Sequence, residues 1–450
     1  MSVTVYQNAR IFTGAGDVIE KGLLAVSHAH TQFVAPERGK TPVKVAAALG
    51  DKLEYVGTAG GYSVPADAEV VDLAGCTVLP GLIDCAARLD TLHPGADDYV
   101  DNIGTAYRTF IAYRAAAEAL NCGVTTVRAL GMPNNIDIGL KTAIQKTMFF
   151  GPGILACGPT YAVTGGCGHE RYGLAMASGS DELRRAMRIH IARGLDGVTL
   201  QVSGKPLASL GGEYHQEMSD RELHDLVKHA HGAEKRVMAA ASGDPSVSAC
   251  IDAGADIILE GRRIGKENLA AMAEKGMGCV PCLVSTPAQY AAEHKAVVAE
   301  AIRAGVAIGA GTGILPSQPV EGTVAIIREL ELLVECGMTP AQALTAATSG
   351  AAGLVGSRAG VLAAGRPADF IAVEGAPDKD IAAMRKVAMV VKSGRRAFLT
   401  AGEAKERGFH IMGPGYEVAG GTTIDWTKGA VQGVIAPESY NDKWNLYKEI

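Results

Sequence analysis

The chain has 450 residues, of which 48% are hydrophobic and 20% charged, and its formal net charge is −6. This length and composition indicate a globular protein too large for one small core. The acidic balance and an aromatic content of 5% argue against a nucleic-acid partner, which would need a basic or base-stacking surface.

The sequence gives no sign of export or of a membrane anchor. No apolar run approaches the ~20 residues that a membrane span requires, and the first residues lack the charged and apolar regions of a signal peptide. Nine cysteines, an odd number scattered along the chain, do not form a disulfide framework for this size. We therefore expect a cytoplasmic protein without a membrane partner.

The first 77 residues contain short segments that alternate apolar and polar positions, separated by Gly, Pro and Asp turns. These segments are 3–6, 9–12, 43–49, 53–56 and 69–73. Period-2 patterning at this spacing predicts the strands of a small β-sandwich.

The pattern changes at about residue 78. Apolar β runs occur at 125–127, 198–202, 237–239, 257–259 and 307–310. Amphipathic helices are predicted between them, among them 220–231, 267–274 and 320–336. Strands that alternate with helices favour parallel pairing, and this many repeats over ~270 residues predict a (β/α)8 TIM barrel, an α/β fold.

Beyond residue 358 the chain returns to strand-like segments, at 360–362, 368–373 and 388–391. The last part, 408–450, forms a C-terminal extension. It contains both tryptophans, Trp426 and Trp444, which indicates that it packs on something. We expect a homo-oligomer, a dimer or larger, with this extension as one candidate for the contact.

Four motifs in the right order carry a family resemblance, at 80–84 (Pro-Gly-Leu-Ile-Asp), 123–128, 329–348 and 358–370. With them the chain resembles the amidohydrolase superfamily, in particular the branch of imidazolonepropionases and Xaa-Pro dipeptidases. The resemblance covers nearly the whole chain to about residue 400. It implies that 1–77 and 355–407 together build the β-sandwich domain, and that 78–354 is the barrel domain.

The metal ligands of that family are missing from the matching positions. Relatives carry His-x-His at the end of the first barrel strand, where two imidazoles hold a divalent metal that acidifies a water. The residues that replace ligands here are Ala86 and Arg88 on the first strand, then Thr199, Ala240, Glu260 and Gly313 on later strands. One carboxylate does not hold zinc against water. We therefore expect no metal and no other cofactor.

Two other spacings look like those of metal sites. His28 and His30 form a His-x-His pair, but they lie in the N-terminal β region and we interpret them as part of a surface loop. Cys279 and Cys282 have the spacing of a zinc or redox pair, yet no second pair accompanies them, so core thiols are the preferred interpretation.

The charged replacements allow two interpretations. Period 2 along the first strand predicts that Ala86 and Arg88 point inward, and Glu260 comes from the opposite wall. In one interpretation Arg88 and Glu260 form a buried ion pair that fills the vacated space. In the other, Glu260 is a general base or acid and Arg88 grips an anionic substrate.

The loop after the third strand, 161–170, is similar to a Thr-Gly-Gly-His-Gly stretch that lines the substrate pocket in relatives. His169 is the best remaining proton-transfer residue, because only histidine titrates near neutrality without perturbation; the alternative is a loop histidine bonded to Glu170. Cys282 is a candidate nucleophile, although a packing thiol is preferred. The predicted substrate-binding residues are Arg88, Arg128, Tyr161, Glu170, Gln201, Lys205, His215, Cys282 and Thr312.

Two functions remain open. The first is a metal-independent, amidohydrolase-like enzyme in which His169 and Glu260 act by acid–base chemistry on a small anionic substrate. Its reaction would be hydrolysis of a C–N bond or a related lyase, cyclisation or isomerisation step. The second is a non-catalytic homologue that binds or scaffolds, as the metal-free dihydropyrimidinase-like proteins of the superfamily do. The charged pocket loops favour the enzyme, but the sequence does not identify its substrate.

Overall fold

The computed structural model describes residues 2–28, 51–90, 104–132, 134–167, 174–204 and 214–397. The strands, in chain order, are β1 (Ser2–Phe12), β2 (Val18–His28), β3 (Lys52–Thr58), β4 (Glu69–Asp72), β5 (Cys76–Pro80), β6 (Leu82–Ala87), β7 (Val124–Ala129), β8 (Gly153–Leu155), β9 (Thr160–Val163), β10 (Leu174–Ala177), β11 (Gly197–Gln201), β12 (Arg236–Ala241), β13 (Ile257–Glu260), β14 (Gly278–Val280), β15 (Ala307–Ile308), β16 (Pro319–Val320), β17 (Thr323–Val324), β18 (Phe370–Glu374), β19 (Val387–Lys392) and β20 (Arg395–Arg396).

The α-helices are α1 (Thr105–Asn121), α2 (Ile136–Gln145), α3 (Gly179–Ala192), α4 (Asp220–Gly232), α5 (Asp244–Ala253), α6 (Lys266–Glu274), α7 (Ala288–Ala304), α8 (Ala325–Glu335), α9 (Pro340–Ala346) and α10 (Ser349–Val355). Short 3₁₀ turns occur at Ala59–Gly61, Leu283–Ser285 and Ile381–Arg385. Among the helices of the described ranges, none is both long enough and apolar enough to cross a membrane.

Strands from both ends of the chain meet in one eight-stranded sheet, with the order β20-β19-β18-β5-β1-β2-β3 and β4 paired to β1. Strand β1 pairs with three strands. It is antiparallel to β2, parallel to β4 in its first half and parallel to β5 near its end. Register shifts between Tyr6 and Ile11 accompany this change of partner. The antiparallel pairing of β18 with β5 adds the C-terminal strands to this sheet. The arrangement of these strands as a two-layer sandwich stays a prediction.

The remaining parallel strands confirm the α/β class. They form a three-stranded sheet, β6-β7-β8, and a seven-stranded sheet, β10-β9-β11-β12-β13-β14-β15. Helices alternate with these strands along the chain, as parallel pairing requires. The buried runs of the sequence lie within β7, β11, β12 and β13, because strands covered on both faces are apolar throughout.

Alternate residues of these strands belong to two different hydrophobic clusters. Val198 and Leu200 of β11 pack with helix residues in the large outer cluster. Met238 and Ala240 of β12 join the smaller inner cluster, together with Ala86 of β6. Successive side chains of a strand point to opposite faces. The helices therefore cover the outer face of the parallel strands, and the side chains of the inner face pack against one another. The inner face carries the candidate site.

Backbone and side-chain hydrogen bonds connect the first parallel strand to the segment after β15. Cys85 N–H donates to the Ala310 carbonyl at 2.9 Å, and Gly313 N–H donates to the Ala86 carbonyl at 2.7 Å. The fully buried Asp84 carboxylate accepts bonds from the Thr312 hydroxyl (2.7 Å) and the Thr312 N–H (3.1 Å). Burial nevertheless raises the pKa of Asp84 to about 6. The first parallel strand is therefore held to the segment that follows the last one.

Two predicted elements are wrong. The helix expected over 320–336 begins only at Ala325, because residues 319–324 form the β16–β17 hairpin with Gly322 at a φ of 79° in its turn. The strand expected over 360–362 does not form; Leu362 N–H makes a single bond to the Thr13 carbonyl, and Gly360 has a φ of 88° that interrupts extended backbone.

Thr312→Val should lower the free energy of unfolding by about 1–3 kcal/mol, because it leaves a buried Asp84 oxygen without its hydroxyl donor. Urea unfolding measures this loss. The matched control is Thr345→Val, whose hydroxyl bonds only the Ala341 carbonyl of its own helix. Equal losses in the two variants would contradict a special role for the Asp84–Thr312 contact.

Candidate functional site

The position after the last parallel strand where relatives are expected to carry a metal ligand is closed by neighbouring side chains. Gly313 has a φ of 69°, and a Cβ there would lie 2.6 Å from Ser285 Oγ and 3.1 Å from Cys282 Cβ. Both neighbours belong to the tight turn at Leu283–Ser285 or directly precede it. An aspartate at 313 would therefore need left-handed backbone and would displace this turn.

Arg128 occupies the space beside the ligand position on β11. Its guanidinium donates to Thr199 Oγ1 at 3.0 Å and to the Val198 carbonyl at 3.1 Å, and it contacts Met238 Sδ at 3.1 Å. It reaches to 3.7 Å from a Cβ placed on Gly197, the first residue of β11. Arg128 is buried among the strands toward their N-terminal ends. This corrects the prediction that it binds substrate at the opposite, C-terminal ends.

The residues predicted to replace the family's metal ligands do not fit a divalent metal. Ala86 and Ala240 are buried in the inner cluster and offer no donor atom, while the Thr199 hydroxyl is bonded to Arg128. Within the part of the chain that the structure describes, no group of three or more His, Cys, Asp or Glu could hold a metal ion. Tight metal binding needs three or four converging ligands.

Glu260 ends β13 with an ion pair that the sequence did not predict. Its carboxylate lies 3.2 Å from Arg262 Nη2, and the two side chains are only 13% and 9% exposed. The backbone N–H of Arg262 donates to Ser242 Oγ at the end of β12. Arg262 Nε is buried and has no hydrogen-bond partner in the structure as described. The structure thus pairs Glu260 with Arg262, and a contact between Glu260 and Arg88 stays a prediction.

A buried histidine supports the backbone at Glu260. His294 of α7 bonds the Glu260 carbonyl through Nε2 at 2.8 Å and Thr286 Oγ1 through Nδ1 at 2.7 Å. Burial lowers the pKa of His294 to about 4, so the ring is neutral at neutral pH. A neutral ring that donates from Nε2 can accept the Thr286 hydroxyl at Nδ1. Glu260 has a left-handed φ of 69°, and this bond holds it there.

Cys282 is a packing thiol. It is 1% exposed, lies in the inner cluster and has a left-handed φ of 54°. Burial, and after it the Glu329 carboxyl group, raises the pKa of the Cys282 thiol well above its usual range. Glu329 accepts bonds from the N–H groups of Leu283 and Val284, and burial raises its own pKa to about 8. A thiol that stays protonated is a poor nucleophile.

Two arginines act electrostatically on a buried carboxyl group just past the end of β6. Asp90 is buried, and burial raises its pKa to about 6 against the opposing effect of the Arg88 and Arg108 guanidinium groups. Arg88 is half-buried, and Arg108 is a fully buried residue of α1. The sequence singled out Arg88 but neither Asp90 nor Arg108, because a charged residue in the first turns of a helix usually faces water.

The structure separates other predicted substrate-binding residues. Tyr161 lies in the outer cluster, and its hydroxyl bonds His190 Nδ1 of α3 at 2.8 Å; it faces the helices, which corrects the prediction. Gln201 is buried at the end of β11 and donates to the Ser203 carbonyl at 2.7 Å. The Thr312 hydroxyl donates to the Asp84 carboxylate, as described above. The alternation of faces along β9 decides the orientation of Tyr161.

The other predicted site residues are either exposed or outside the residues that the structure describes. His215 is exposed, and its carbonyl accepts the Gly204 N–H at 2.8 Å. His169, Glu170 and Lys205 lie outside the described residues, as does His30. His28 bonds Thr4 Oγ1 and Asp51 Oδ2 at the end of β2. Their roles in binding or catalysis stay predictions.

The chain belongs to the amidohydrolase family. Residues 77–397, more than half of the sequence, match the model of that family. The match includes the parallel strands, the helices between them and the C-terminal strands that join the eight-stranded sheet.

Individual relatives support the same class. Ochratoxinase of Aspergillus niger is 28% identical over 355 residues, which cover 68% of this chain and 71% of that protein. A crystal structure of a Xaa-Pro dipeptidase with bound methionine has a TM-score of 0.74 at 24% identity, over 88% of this chain and 99% of that one. The crystal structure of A. niger ochratoxinase gives 0.73 at 22%, over 88% and 96%. At these identities the structures show a shared fold.

His294 should make the protein less stable as the pH falls. Its pKa is lower in the folded chain (about 4) than the ordinary 6.5, so its contribution is present above pH 6.5 and is lost as the pH falls toward 4. The loss should be about 3 kcal/mol. Urea unfolding across this range measures it. His294→Gln should flatten the slope by that amount, and the exposed-residue control His215→Gln should not; matching slopes in all three proteins would contradict the assignment.

Proposed function

We propose that this protein is an enzyme of the amidohydrolase family that works without a bound metal, on a small anionic substrate. The observation that carries the proposal is the buried Glu260–Arg262 pair at the end of β13, beside ligand positions that carry Ala, Thr and Gly. The charged groups that remain suit anion binding and proton transfer, which need no metal.

The proposal includes a closed (β/α)8 barrel. The bonds between β6 and the segment after β15 support closure, because they link the first parallel strand to the last. In a closed barrel the C-terminal ends of all strands surround one mouth, which is where such enzymes place their chemistry. Glu260, Arg262, Arg88 and Gln201 lie at or just past such strand ends, so one small molecule would meet residues from several strands.

An anionic substrate is supported by the distribution of guanidinium groups. Arg262 has a buried Nε with no partner in the described chain, and the charges of Arg88 and Arg108 act on one buried carboxyl at the end of β6. A guanidinium presents donors in a planar fork that matches carboxylate or phosphate oxygens. We propose that Arg262 and Arg88 hold such a group, with Gln201 beside them.

Glu260 and His169 are the proposed proton-transfer groups. Glu260 is held in place by its ion pair with Arg262. A base at this position could activate a water against a C–N bond or remove a proton from the substrate, while His169 supplies a proton to the leaving group. Hydrolysis of a C–N bond is the reaction to test first, since a dipeptidase is among the similar structures. Lyase, cyclisation and isomerisation reactions are the next to test.

A second candidate is a non-catalytic protein that binds a small anion. The observation in its favour is the dense packing at Gly313, where Ser285 and Cys282 occupy the space of a former ligand. The two candidates share the same anion site, so binding alone does not separate them. Turnover of a bound ligand does.

Purified protein should contain no stoichiometric zinc, manganese or iron, because the residues at 86, 199, 240 and 313 provide no ligand. Elemental analysis of protein expressed in metal-supplemented medium makes the test. About one metal per chain, lost to a chelator together with activity, would sink the metal-independent mechanism. Metal that leaves without any effect on activity would be bound elsewhere.

Glu260→Gln and His169→Asn should each lower turnover by about 10²–10⁴-fold, the usual cost of losing one general acid or base. A panel of N-acyl amino acids and dipeptides, scored for C–N cleavage, provides the substrate. Glu293→Gln is the matched control, since Glu293 pairs with Arg263 on the surface. Folded variants that both turn over at the wild-type rate would remove these two residues from the mechanism.

Arg262→Gln should weaken binding of the anionic ligand by about 2–5 kcal/mol, because it removes a desolvated charge partner. The same change leaves Glu260 buried without its ion pair, so thermal unfolding must be measured in parallel. Arg262→Lys keeps the charge and should retain part of the affinity. Unchanged ligand affinity in both variants, with lower stability alone, would make Arg262 a structural partner of Glu260.

A further inference from the structure

The described residues expose large apolar side chains in one region. We call it the aromatic patch, and it consists of Tyr107, Phe110, Met148, Phe149 and Phe150. These side chains are between 39% and 68% exposed. Elsewhere in the described ranges the exposed large hydrophobic residues are scattered, at Val64, Val70 and Ile189. Contiguous exposed apolar surface marks an interaction site, whereas single residues do not.

The patch is continuous across two segments. Tyr107 and Phe110 are three residues apart on α1 and share one face of the helix, and Tyr113 continues that face by another three. The Tyr113 ring contacts the Phe149 ring, with centroids 4.5 Å apart. This contact joins α1 to the segment that leads from α2 into β8. The result is one surface rather than two.

The concentration of phenylalanine is unusual for this chain. The sequence has eight phenylalanines, and five of them lie in the described ranges. Phe12 and Phe370 are buried in the two main clusters, while Phe110, Phe149 and Phe150 are all on the patch. Three of the five phenylalanines that the structure describes are therefore exposed at one place, which indicates that something covers them.

We propose that residues 398–450 of the same chain pack on the aromatic patch. The described chain ends at Ala397, directly after β20. Strand β20 pairs with Val391 and Lys392 at the end of β19, and Lys392 Nζ lies 3.6 Å from a Cβ placed on Gly153. Gly153 opens β8 only three residues after Phe150. The segment that follows Ala397 therefore starts on a strand pair whose Lys392 side chain reaches the segment that carries Phe150.

The length and the chemistry of this segment fit the role. Trp426 lies 29 positions after Ala397, and an extended chain spans roughly 3.3 Å per residue, so reach is not limiting. Both tryptophans of the protein, Trp426 and Trp444, belong to the segment. Tryptophan combines a large apolar surface with a polar N–H, which suits it to cover an aromatic surface that borders water.

Tryptophan fluorescence of the full chain tests the proposal, because its signal comes from residues 398–450 alone. In the native protein the emission should lie to the blue of the unfolded chain. The double variant Phe110→Glu/Met148→Glu, which changes the two most exposed patch residues, should shift the emission to the red and release tryptic fragments of the segment several-fold faster. Far-UV circular dichroism checks that the fold is retained.

The matched control is Val64→Glu/Ile189→Glu, which places the same charges on exposed apolar residues outside the patch. It should leave the emission and the tryptic release unchanged. Equal emission in the patch variant and the wild type would overturn the proposal. So would a red shift that appears on dilution of the wild type together with a smaller sedimentation coefficient, since the patch would then be covered by a second copy of the chain.

Discussion

The Asp84 carboxylate holds together the two ends of the parallel strand array. It accepts the hydroxyl and the N–H of Thr312 and the N–H of Ala86, so that three donors offset the cost of burying it. None of these partners is a metal ligand. The frame at the end of the first strand therefore depends on hydrogen bonds within the protein. A chain with this frame can carry Ala86 and Arg88 in place of imidazoles and still place its strand ends together.

Close packing fills the space at the positions where the resemblance predicts metal ligands. Protein interiors tolerate few voids larger than a water, and here Ser285 and Cys282 close on Gly313 while Arg128 bonds Thr199. The charges that remain near the strand ends lie at the edge of this packed region, as the Glu260–Arg262 pair and the arginines around Asp90. Arg88 is half-buried and 13% of the Glu260 side chain is exposed, so these two groups remain accessible to a ligand.

The sequence predicts elements better than it predicts orientation. The helix at Asp220–Gly232 follows from its amphipathic spacing, which is a local signal, and the structure adds a capping box of Ser219 and Glu222 at its start. The start of α8 was missed because a hairpin of two-residue strands leaves almost no periodicity. Tyr161 was misplaced since a motif locates a loop but not the face of the strand before it. Arg262 was missed because its pairing depends on the left-handed backbone at Glu260 and Gly261, which sequence spacing does not reveal.

The left-handed backbone at Glu260 also bears on the choice between an enzyme and a non-catalytic protein. Glu260 and Cys282, at neighbouring strand ends, both have left-handed φ values, and such conformations cost about 1–3 kcal/mol each in non-glycine residues. Each is held by a dedicated buried contact: His294 bonds the Glu260 carbonyl, and Glu329 bonds the N–H groups just after Cys282. Strain maintained in this way clusters at functional sites. Glycine at 260 would relieve the strain, but it would also remove the carboxylate that the proposed mechanism uses as its general base.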